Sequence, residues 1–228
     1  MRSTDTLERL RGGLIVSCQA YPGEPMRDPR TMAQVAEAAV VGGAAGVRVQ
    51  GIADIRATAA LPVPVVGLWK DGEAEVFITP TLGHAKAVAD AGADIVAIDG
   101  TRRARPDGLT LAETIAGLRE HTDALVMADC GSLDDAIAAE AAGADILGTT
   151  LSGYTGERTK TVGPDLELIE LIAAHCRRPI VAEGRIHTPA HAAAAIGAGA
   201  FSVCVGTAIT HPTTITTWFV DAVTGARP

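Results

Sequence analysis

Aromatic residues and net positive charge are both scarce in this sequence. Phe, Trp and Tyr make up only 3% of the 228 residues, and the formal net charge is −8. Proteins that bind nucleic acids need a basic surface for the phosphates and commonly aromatic rings for the bases. The two deficits argue against a nucleic-acid partner and favour a small-molecule partner.

Long hydrophobic runs and paired cysteines are also missing. No stretch offers the roughly 20 apolar residues of a membrane span, and residues 1–11 are charged, without the apolar core of a signal peptide. Cys18, Cys130, Cys176 and Cys204 show neither CxxC nor metal-ligand spacing. We therefore expect a cytoplasmic protein without membrane association, whose cysteines are free thiols.

A repeated strand and helix pattern fills the rest of the chain. Short runs rich in Val and Ile alternate eight times with Ala-rich helical segments, and these runs lack the alternation of half-exposed strands, as is typical of buried parallel strands. The predicted strands are residues 14–20, 46–50, 63–70, 94–100, 124–130, 145–150, 179–185 and 201–207.

Helix boundary signals separate these strands. Capping-box spacing occurs at Thr110 with Glu113 and at Ser132 with Asp135, and Thr188 before Pro189 is typical of a helix start. Four glycines, each followed by alanine and a strand, have the pattern of helix ends and recur every two strand and helix units: Gly43, Gly92, Gly143 and Gly199.

The pattern predicts an α/β fold in which residues 1–228 form one domain, a TIM (β/α)8 barrel. Residues 4–11 would form a short extra helix covering the bottom of the barrel. The competing fold is an open doubly wound sheet, but the usual G-x-G-x-x-G turn is missing after the first strand.

Polar residues end several of the predicted strands. A TIM barrel builds its active site at the carboxyl ends of its strands, and its inward layers come from alternate strands. Arg48 lies in strand 2 and Asp99 ends strand 4. Four polar residues at the ends of odd-numbered strands are predicted to form one layer at the top: Gln19, Lys70, Asp129 and Glu183.

Lys70 is the most informative of these residues, because the chain has three lysines and sixteen arginines. Burial can lower the pKa of a lysine enough to make it a base or an amine nucleophile, which arginine cannot become. The alternatives are a solvent-reaching or ion-paired lysine at position 70 and ordinary loop-edge carboxylates at Asp129 and Glu183.

The loops after strands 7 and 8 indicate a phosphate site. TIM barrels commonly hold phosphate there with backbone N–H groups and a helix N-terminus. Gly184 and Gly206 stand where a ligand would approach the backbone closely, although glycine at a strand end is also an ordinary turn residue. His187 and His191 are separated by Pro189 and have no third ligand, so no metal site is expected.

Motifs at the strand ends resemble those of the N-acetylmannosamine-6-phosphate 2-epimerase family. The resemblance spans about residues 13–223 and is carried by IVSCQA at 15–20, GVR at 46–48, GLWK at 67–70, ITPT at 78–81, MADC at 127–130, GTTLSGYT at 148–155, VAEGR at 181–185 and VGTAIT at 205–210. Trp69 stands where a smaller aliphatic residue is expected, and His211 where many members have arginine.

The resemblance implies an enzyme that interconverts N-acetylmannosamine 6-phosphate and N-acetylglucosamine 6-phosphate without a metal or nucleotide cofactor. By motif, Lys70 would be the catalytic acid/base and Glu183 its partner. The sugar would contact Gln19, Arg48, Asp129 and Arg185, and the phosphate would contact Gly184, Gly206 and Thr207.

Two other functions fit the same residues. A phosphosugar aldolase would use Lys70 as a Schiff-base nucleophile, and a non-catalytic sensor would bind amino-sugar phosphates unchanged. The helix predicted at residues 213–223 has an apolar stripe that would either close the barrel or pack on a partner subunit, formed by Ile215, Trp218, Phe219 and Val223. A homodimer is expected mainly from the resemblance.

Overall fold

Eight strands and ten helices alternate along the part of the chain that the computed structural model describes, residues 2–225, with side chains described from residue 5. The strands are β1 Leu14–Cys18, β2 Gly46–Gln50, β3 Val65–Leu68, β4 Ile95–Asp99, β5 Leu125–Asp129, β6 Ile146–Gly148, β7 Ile180–Glu183 and β8 Ser202–Val205. The helices are α1 Arg2–Leu10, α2 Pro29–Val41, α3 Ile52–Thr58, α4 Leu82–Asp90, α5 Leu111–Arg119, α6 Leu133–Ala141, α7 Leu166–His175, α8 Pro189–Gly197, α9 Thr207–Thr210 and α10 Pro212–Gly225.

The strands close into a parallel barrel in chain order. Each strand pairs with the next, and β8 pairs with β1 in the register Leu14↔Val203, Ile15↔Cys204 and Val16↔Val205. The TIM barrel prediction is confirmed, and the open doubly wound sheet is wrong because it would leave β1 and β8 unpaired. All eight predicted strands are present, and seven of them are shorter than predicted by one or two residues at one or both ends.

Local capping residues start the helices as predicted. Thr110 and Glu113 form a reciprocal capping box at α5, and the Ser132 and Thr188 hydroxyls accept backbone N–H bonds at α6 and α8. The four helix-ending glycines adopt positive φ between 95° and 106°, which an L-residue with a Cβ disfavours. Each helix therefore returns to the next strand within a few residues.

Side chains fill the barrel interior up to the ends of the strands. One apolar cluster inside the barrel contains Ile15, Val66, Leu68, Ile95, Met127, Ile146 and Val181, and a second lies between the strands and the helices. Leu10 at the end of α1 is fully buried in the interior cluster. A Cβ at Gly46 would lie 2.7 Å from Leu10 Cδ2. Glycine at the start of β2 therefore leaves the space that Leu10 of α1 fills at the bottom of the barrel.

One part of the barrel's outer face lacks a covering helix. Beside β8 and β1 lies an apolar groove of about 420 Å³, bounded by α8 and α9. Helix α10 follows this seam in the chain but buries none of its own residues. It leaves four large apolar side chains exposed, namely Trp218, Phe219, Val220 and Val223. Among residues 2–225, no helix combines the length and the apolar composition needed to cross a bilayer.

Candidate active site

A cavity of about 470 Å³ opens at the carboxyl ends of the strands. This volume is within the range of small-molecule sites. Eight of the nine predicted site residues line it: Gln19, Arg48, Lys70, Glu183, Gly184, Arg185, Gly206 and Thr207. Asp129 does not line the cavity, because it is fully buried behind Arg48.

Lys70 reaches the cavity because the alternation of β3 continues past its last residue. Leu68 points into the barrel, Trp69 points outward onto His84, and Lys70 points inward again. The following loop folds back as a short hairpin with a bridge between Lys70 and Ile78. The N–H of Thr79 donates to Trp69 O at 2.7 Å, so the backbone of Lys70 is held from both sides.

The surroundings of Lys70 favour a neutral amine. Burial is the main cause that lowers its pKa below the ordinary value of 10.5, and the Arg48 guanidinium lowers it further. Glu183 and Asp129 act in the opposite direction with smaller effect. A neutral amine can accept a proton, which the ammonium form cannot do.

Arg48 joins two carboxylates at the floor of the cavity. Its Nη2 lies 2.6 Å from Asp129 Oδ2, and its Nη1 lies 3.1 Å from Asp129 Oδ1 and 2.9 Å from Glu183 Oε2. Burial favours loss of the arginine proton, but the two carboxylates outweigh it and raise the pKa of Arg48. The guanidinium is a fixed positive charge facing the cavity.

The surroundings of Glu183 raise the pKa of its carboxyl group. Burial raises the pKa of Glu183, Arg48 opposes this rise, and the nearby Asp129 carboxylate adds to it. The Cys204 thiol donates a hydrogen bond to the Glu183 side chain, and burial keeps this thiol protonated by raising its pKa well above the usual value. The Cys204 hydrogen bond and the Arg48 guanidinium both favour the ionised carboxylate, but burial outweighs them, so the pKa of Glu183 is raised while that of the neighbouring Lys70 is lowered.

The loops after β7 and β8, where the sequence predicts a phosphate site, border the cavity. Gly184 has φ of 110° and Arg185 has φ of 57°, so the chain turns sharply at the cavity wall. Gly206 precedes the short helix α9 without a side-chain cap, and the first N–H groups of a helix have no carbonyl partner within it. A Cβ at Gly206 would lie 3.2 Å from Ser17 Cβ, so the loop after β8 lies close against β1.

Arg185 and Gln19 line the cavity but also hold other parts of it. The Arg185 guanidinium donates to Ser152 O at 2.8 Å and to Gly163 O at 3.1 Å, which fixes the long loop after β6. Arg185 Nη2 also donates to Thr161 Oγ1 at 3.0 Å, so each guanidinium nitrogen has a partner in this loop. Gln19 Nε2 donates to Ser17 Oγ at 2.9 Å.

The two unusual positions differ in their relation to the site. Trp69 lies outside the cavity, packed edge-on against His84 with ring centroids 4.6 Å apart. His211 lines the cavity, with Nε2 2.7 Å from Glu24 Oε1 and Nδ1 2.7 Å from Thr214 Oγ1. Only His211 can therefore influence a bound ligand directly.

Sequence reasoning assigned no site role to several polar residues that line the cavity, among them Thr150 and Arg103. Thr150 Oγ1 lies 2.7 Å from Asp129 Oδ1 and 3.2 Å from Glu183 Oε2, and Arg103 pairs with the buried Asp99 at 2.8 Å. Thr150 stands in a motif at the end of β6, where position alone could have indicated it. In the described part of the chain, no group of three or more His, Cys, Asp or Glu side chains is arranged to hold a metal ion.

Comparisons with known proteins agree on one family. Residues 32–225 match the family model described as "Putative N-acetylmannosamine-6-phosphate epimerase". A protein of Cutibacterium acnes named "Putative N-acetylmannosamine-6-phosphate 2-epimerase" is 60% identical over 93% of this chain and 94% of its own length. A protein of the same name from Caldanaerobacter subterraneus is 46% identical over 98% of this chain and 96% of its own length.

A solved structure agrees as well. The N-acetylmannosamine-6-phosphate 2-epimerase of Clostridium perfringens superposes with a TM-score of 0.91 and 36% identity, over 95% of both chains. The region that the family model matches contains β2 to β8 and every predicted site residue except Gln19. The chain therefore belongs to the N-acetylmannosamine-6-phosphate epimerase family.

Proposed function

We propose that this protein interconverts N-acetylmannosamine 6-phosphate and N-acetylglucosamine 6-phosphate by moving a proton at C2. The observation that carries the proposal is the pairing of Lys70, whose pKa is lowered, with Glu183, whose pKa is raised, in one cavity of a family member. A base and an acid are the two groups that a proton-transfer epimerisation requires.

The reaction begins with an open-chain sugar, because the C2 hydrogen becomes acidic only beside the C1 aldehyde. Neutral Lys70 removes this proton and becomes an ammonium ion, while the electrons of the C–H bond form an enolate. Arg48 or another donor stabilises the enolate oxygen. Glu183 serves the ring oxygen or returns a proton to the opposite face of C2. Carbon regains one hydrogen, and no oxidant or cofactor is needed.

The remaining predicted contacts position the substrate. Gln19, Arg48 and Arg185 present polar groups to the sugar, and backbone N–H groups around Gly184, Gly206 and Thr207 hold the phosphate. The contact predicted for Asp129 is the least supported, since both of its oxygens are occupied by Arg48 and Thr150. We assign Asp129 the task of holding Arg48 in place.

Proton and carbon NMR of the protein with N-acetylmannosamine 6-phosphate in heavy water tests the proposal. We expect N-acetylglucosamine 6-phosphate to appear with deuterium at C2. Binding without product or exchange would contradict the epimerase assignment and favour a sensor.

Two variants divide the roles of Lys70 and Glu183. Lys70→Ala should abolish C2 exchange, whereas Glu183→Gln should retain exchange at a reduced rate of epimerisation. The reverse pattern would contradict this division.

Borohydride reduction separates the epimerase from an aldolase. A Schiff-base aldolase would be trapped covalently on Lys70 in the presence of substrate, whereas an enolate mechanism leaves the lysine unmodified. The family assignment favours the second outcome, and mass spectrometry of the Lys70 peptide measures it.

We further propose that the protein is a homodimer. The exposed apolar face of α10 and the apolar groove beside β8 and β1 give one chain a convex and a concave apolar surface, which makes it complementary to a second copy. Sedimentation of Phe219→Glu should show dissociation. Val41→Glu is the matched control, because Val41 is an exposed valine on α2 that belongs to neither surface.

We also propose that residues 1–228 act as one domain in the cytoplasm. One closed sheet contains strands from both ends of the described chain, and all four cysteines are free thiols. Cell fractionation tests the location.

A further inference from the structure

Two consecutive threonines after β6 hold different parts of Glu183. Thr149 Oγ1 accepts the N–H of Glu183 at 3.0 Å and donates to its carbonyl oxygen at 2.9 Å. Thr150 Oγ1 instead approaches the carboxyl group, 3.2 Å from Oε2. Thr149 therefore fixes the backbone of Glu183, and Thr150 contacts the group that ionises.

The two carboxyl groups beside Thr150 have unequal sets of donors. Asp129 receives Arg48 Nη1 at 3.1 Å, Arg48 Nη2 at 2.6 Å and Thr150 Oγ1 at 2.7 Å. Arg48 Nη1 also lies 2.9 Å from Glu183 Oε2, but within residues 2–225 the aligned N–H bonds of Arg48 point to Asp129. Asp129 is thus the better stabilised anion, since each aligned donor favours the charged form.

A threonine hydroxyl has one proton and two lone pairs. The contact with Asp129 is the shorter by half an ångström, so the proton points to Asp129 and a lone pair faces Glu183 Oε2. A lone pair facing an ionised carboxylate is repulsive, whereas the same lone pair accepts a hydrogen bond from a protonated carboxyl.

We propose that Thr150 is a positioning residue for the reaction, whose hydroxyl donates its proton to Asp129 and accepts the proton of Glu183, holding Glu183 in its acid form. This inference rests on the proposed role of Glu183 as a proton donor. Burial already raises the pKa of Glu183, and the hydroxyl adds a directional preference for the protonated state. The other groups facing Glu183 are Arg48 on β2, Lys70 after β3, Asp129 on β5, Cys204 on β8 and Tyr21 after β1.

The test is a carbon NMR titration of protein carrying ¹³Cδ-labelled glutamate, with the Glu183 signal identified by its loss in Glu183→Gln. Thr150→Val replaces the hydroxyl by a methyl group of similar size. We expect its Glu183 midpoint to fall by about 0.5 to 1 in pH, the effect of losing one hydrogen bond. Thr150→Ser keeps a hydroxyl and should keep the parent midpoint.

Thr149→Val is the matched control, because it removes a neighbouring hydroxyl that contacts only the backbone of Glu183. Its midpoint should equal that of the parent. An unchanged midpoint in Thr150→Val would overturn the proposal, and so would equal shifts in both valine variants, which would indicate a displaced backbone. Thr150→Ala provides a second measurement of the missing hydroxyl if the valine variant does not fold.

Turnover gives an independent readout. We expect Thr150→Val to lower kcat about tenfold with KM little changed, since about 1.4 kcal/mol of acid stabilisation is lost, and Thr150→Ser to restore kcat. A rise in KM alone would contradict a role at the reacting proton. The titration uses no substrate, so a failure of the proposed function in the exchange experiment leaves the test of Thr150 readable.

Discussion

The two ends of the barrel are built from the same eight strands but contain opposite chemistry. At the amino-terminal end, Leu10 closes a fully apolar layer that includes Ile15, Ile95 and Ile146. At the carboxyl end, the inward positions carry Arg48, which forms a buried ion pair with Asp129 and lies 2.9 Å from Glu183 Oε2. The interior of one barrel thus changes from hydrocarbon to charge along the direction of the strands.

The difference shows how the molecule separates stability from activity. Apolar burial stabilises the fold by about 25 cal/mol for each Å² removed from water. Buried charges contribute little net stability, because their desolvation offsets their attraction, and here they shift the pKa values of Lys70 and Glu183. Substitutions at the two ends should therefore have different consequences, and each prediction below contrasts them.

The largest effect is expected from Lys70→Ala at the upper end. Loss of the proposed base should lower kcat about 10²- to 10⁴-fold, while the free energy of unfolding stays the same or rises because a buried amine is removed. Steady-state kinetics and urea denaturation measure the two quantities. If Lys70→Ala lost stability as well as activity, the contrast between a stabilising lower end and an active upper end would be wrong.

Leu10→Ala is the counterpart at the lower end. Truncating this fully buried side chain should reduce the free energy of unfolding by about 2–5 kcal/mol. The kcat of the folded fraction should remain that of the parent, since Leu10 lies at the opposite end of the strands from the cavity. Active-site titration corrects for the unfolded fraction. A lowered kcat per folded molecule would show that the two ends are coupled.

The pH dependence of activity sharpens the contrast. Because burial lowers the pKa of Lys70, activity should rise as pH increases through that lowered value, which lies below 10.5. Below the pKa of Lys70, the fraction of neutral amine falls about tenfold for each pH unit, and kcat/KM should fall with it. The residual activity of Lys70→Ala should lack the limb, and Leu10→Ala should retain it unchanged.

The smallest effect is expected from Trp69→Leu, a position next to Lys70 in sequence but outside the cavity. Loss of its edge contact with His84 should lower the free energy of unfolding by about 0.5–1.5 kcal/mol. Turnover should stay near that of the parent because the indole does not line the cavity. Thermal unfolding and steady-state kinetics of this variant measure the two effects. They would show that Trp69 contributes to stability while its neighbour Lys70 contributes to activity.

Much of the barrel was predictable because its signals are local. Apolar runs and capping residues such as Thr110 and Thr188 depend only on nearby sequence. Strand parity also brought Lys70 and Glu183 to one cavity, since inward positions recur every second residue. The placement of these two residues thus followed from the fold class.

Other features depend on contacts between distant residues. Asp129 has the same parity as Glu183 but lies behind Arg48, because the long guanidinium occupies the space between the two carboxylates. Thr150 was missed because its importance arises from two carboxyl groups on other strands. The apolar stripe of α10 could be recognised in the sequence. The side chains that would cover it could not, because they are not adjacent to α10 in the chain.

The pairing of β1 with β8 has a consequence for synthesis of the chain. No partial chain that lacks β8 can close the ring, so its sheet keeps two open edges and its interior remains accessible to water. Gln19, which follows β1, lines the same cavity as Gly206 and Thr207, which follow β8. A growing chain therefore contains Lys70 long before β8 is made, whereas Glu183 precedes Ser202, the first residue of β8, by only 19 residues. The cavity that both side chains line is complete only when this last strand is added.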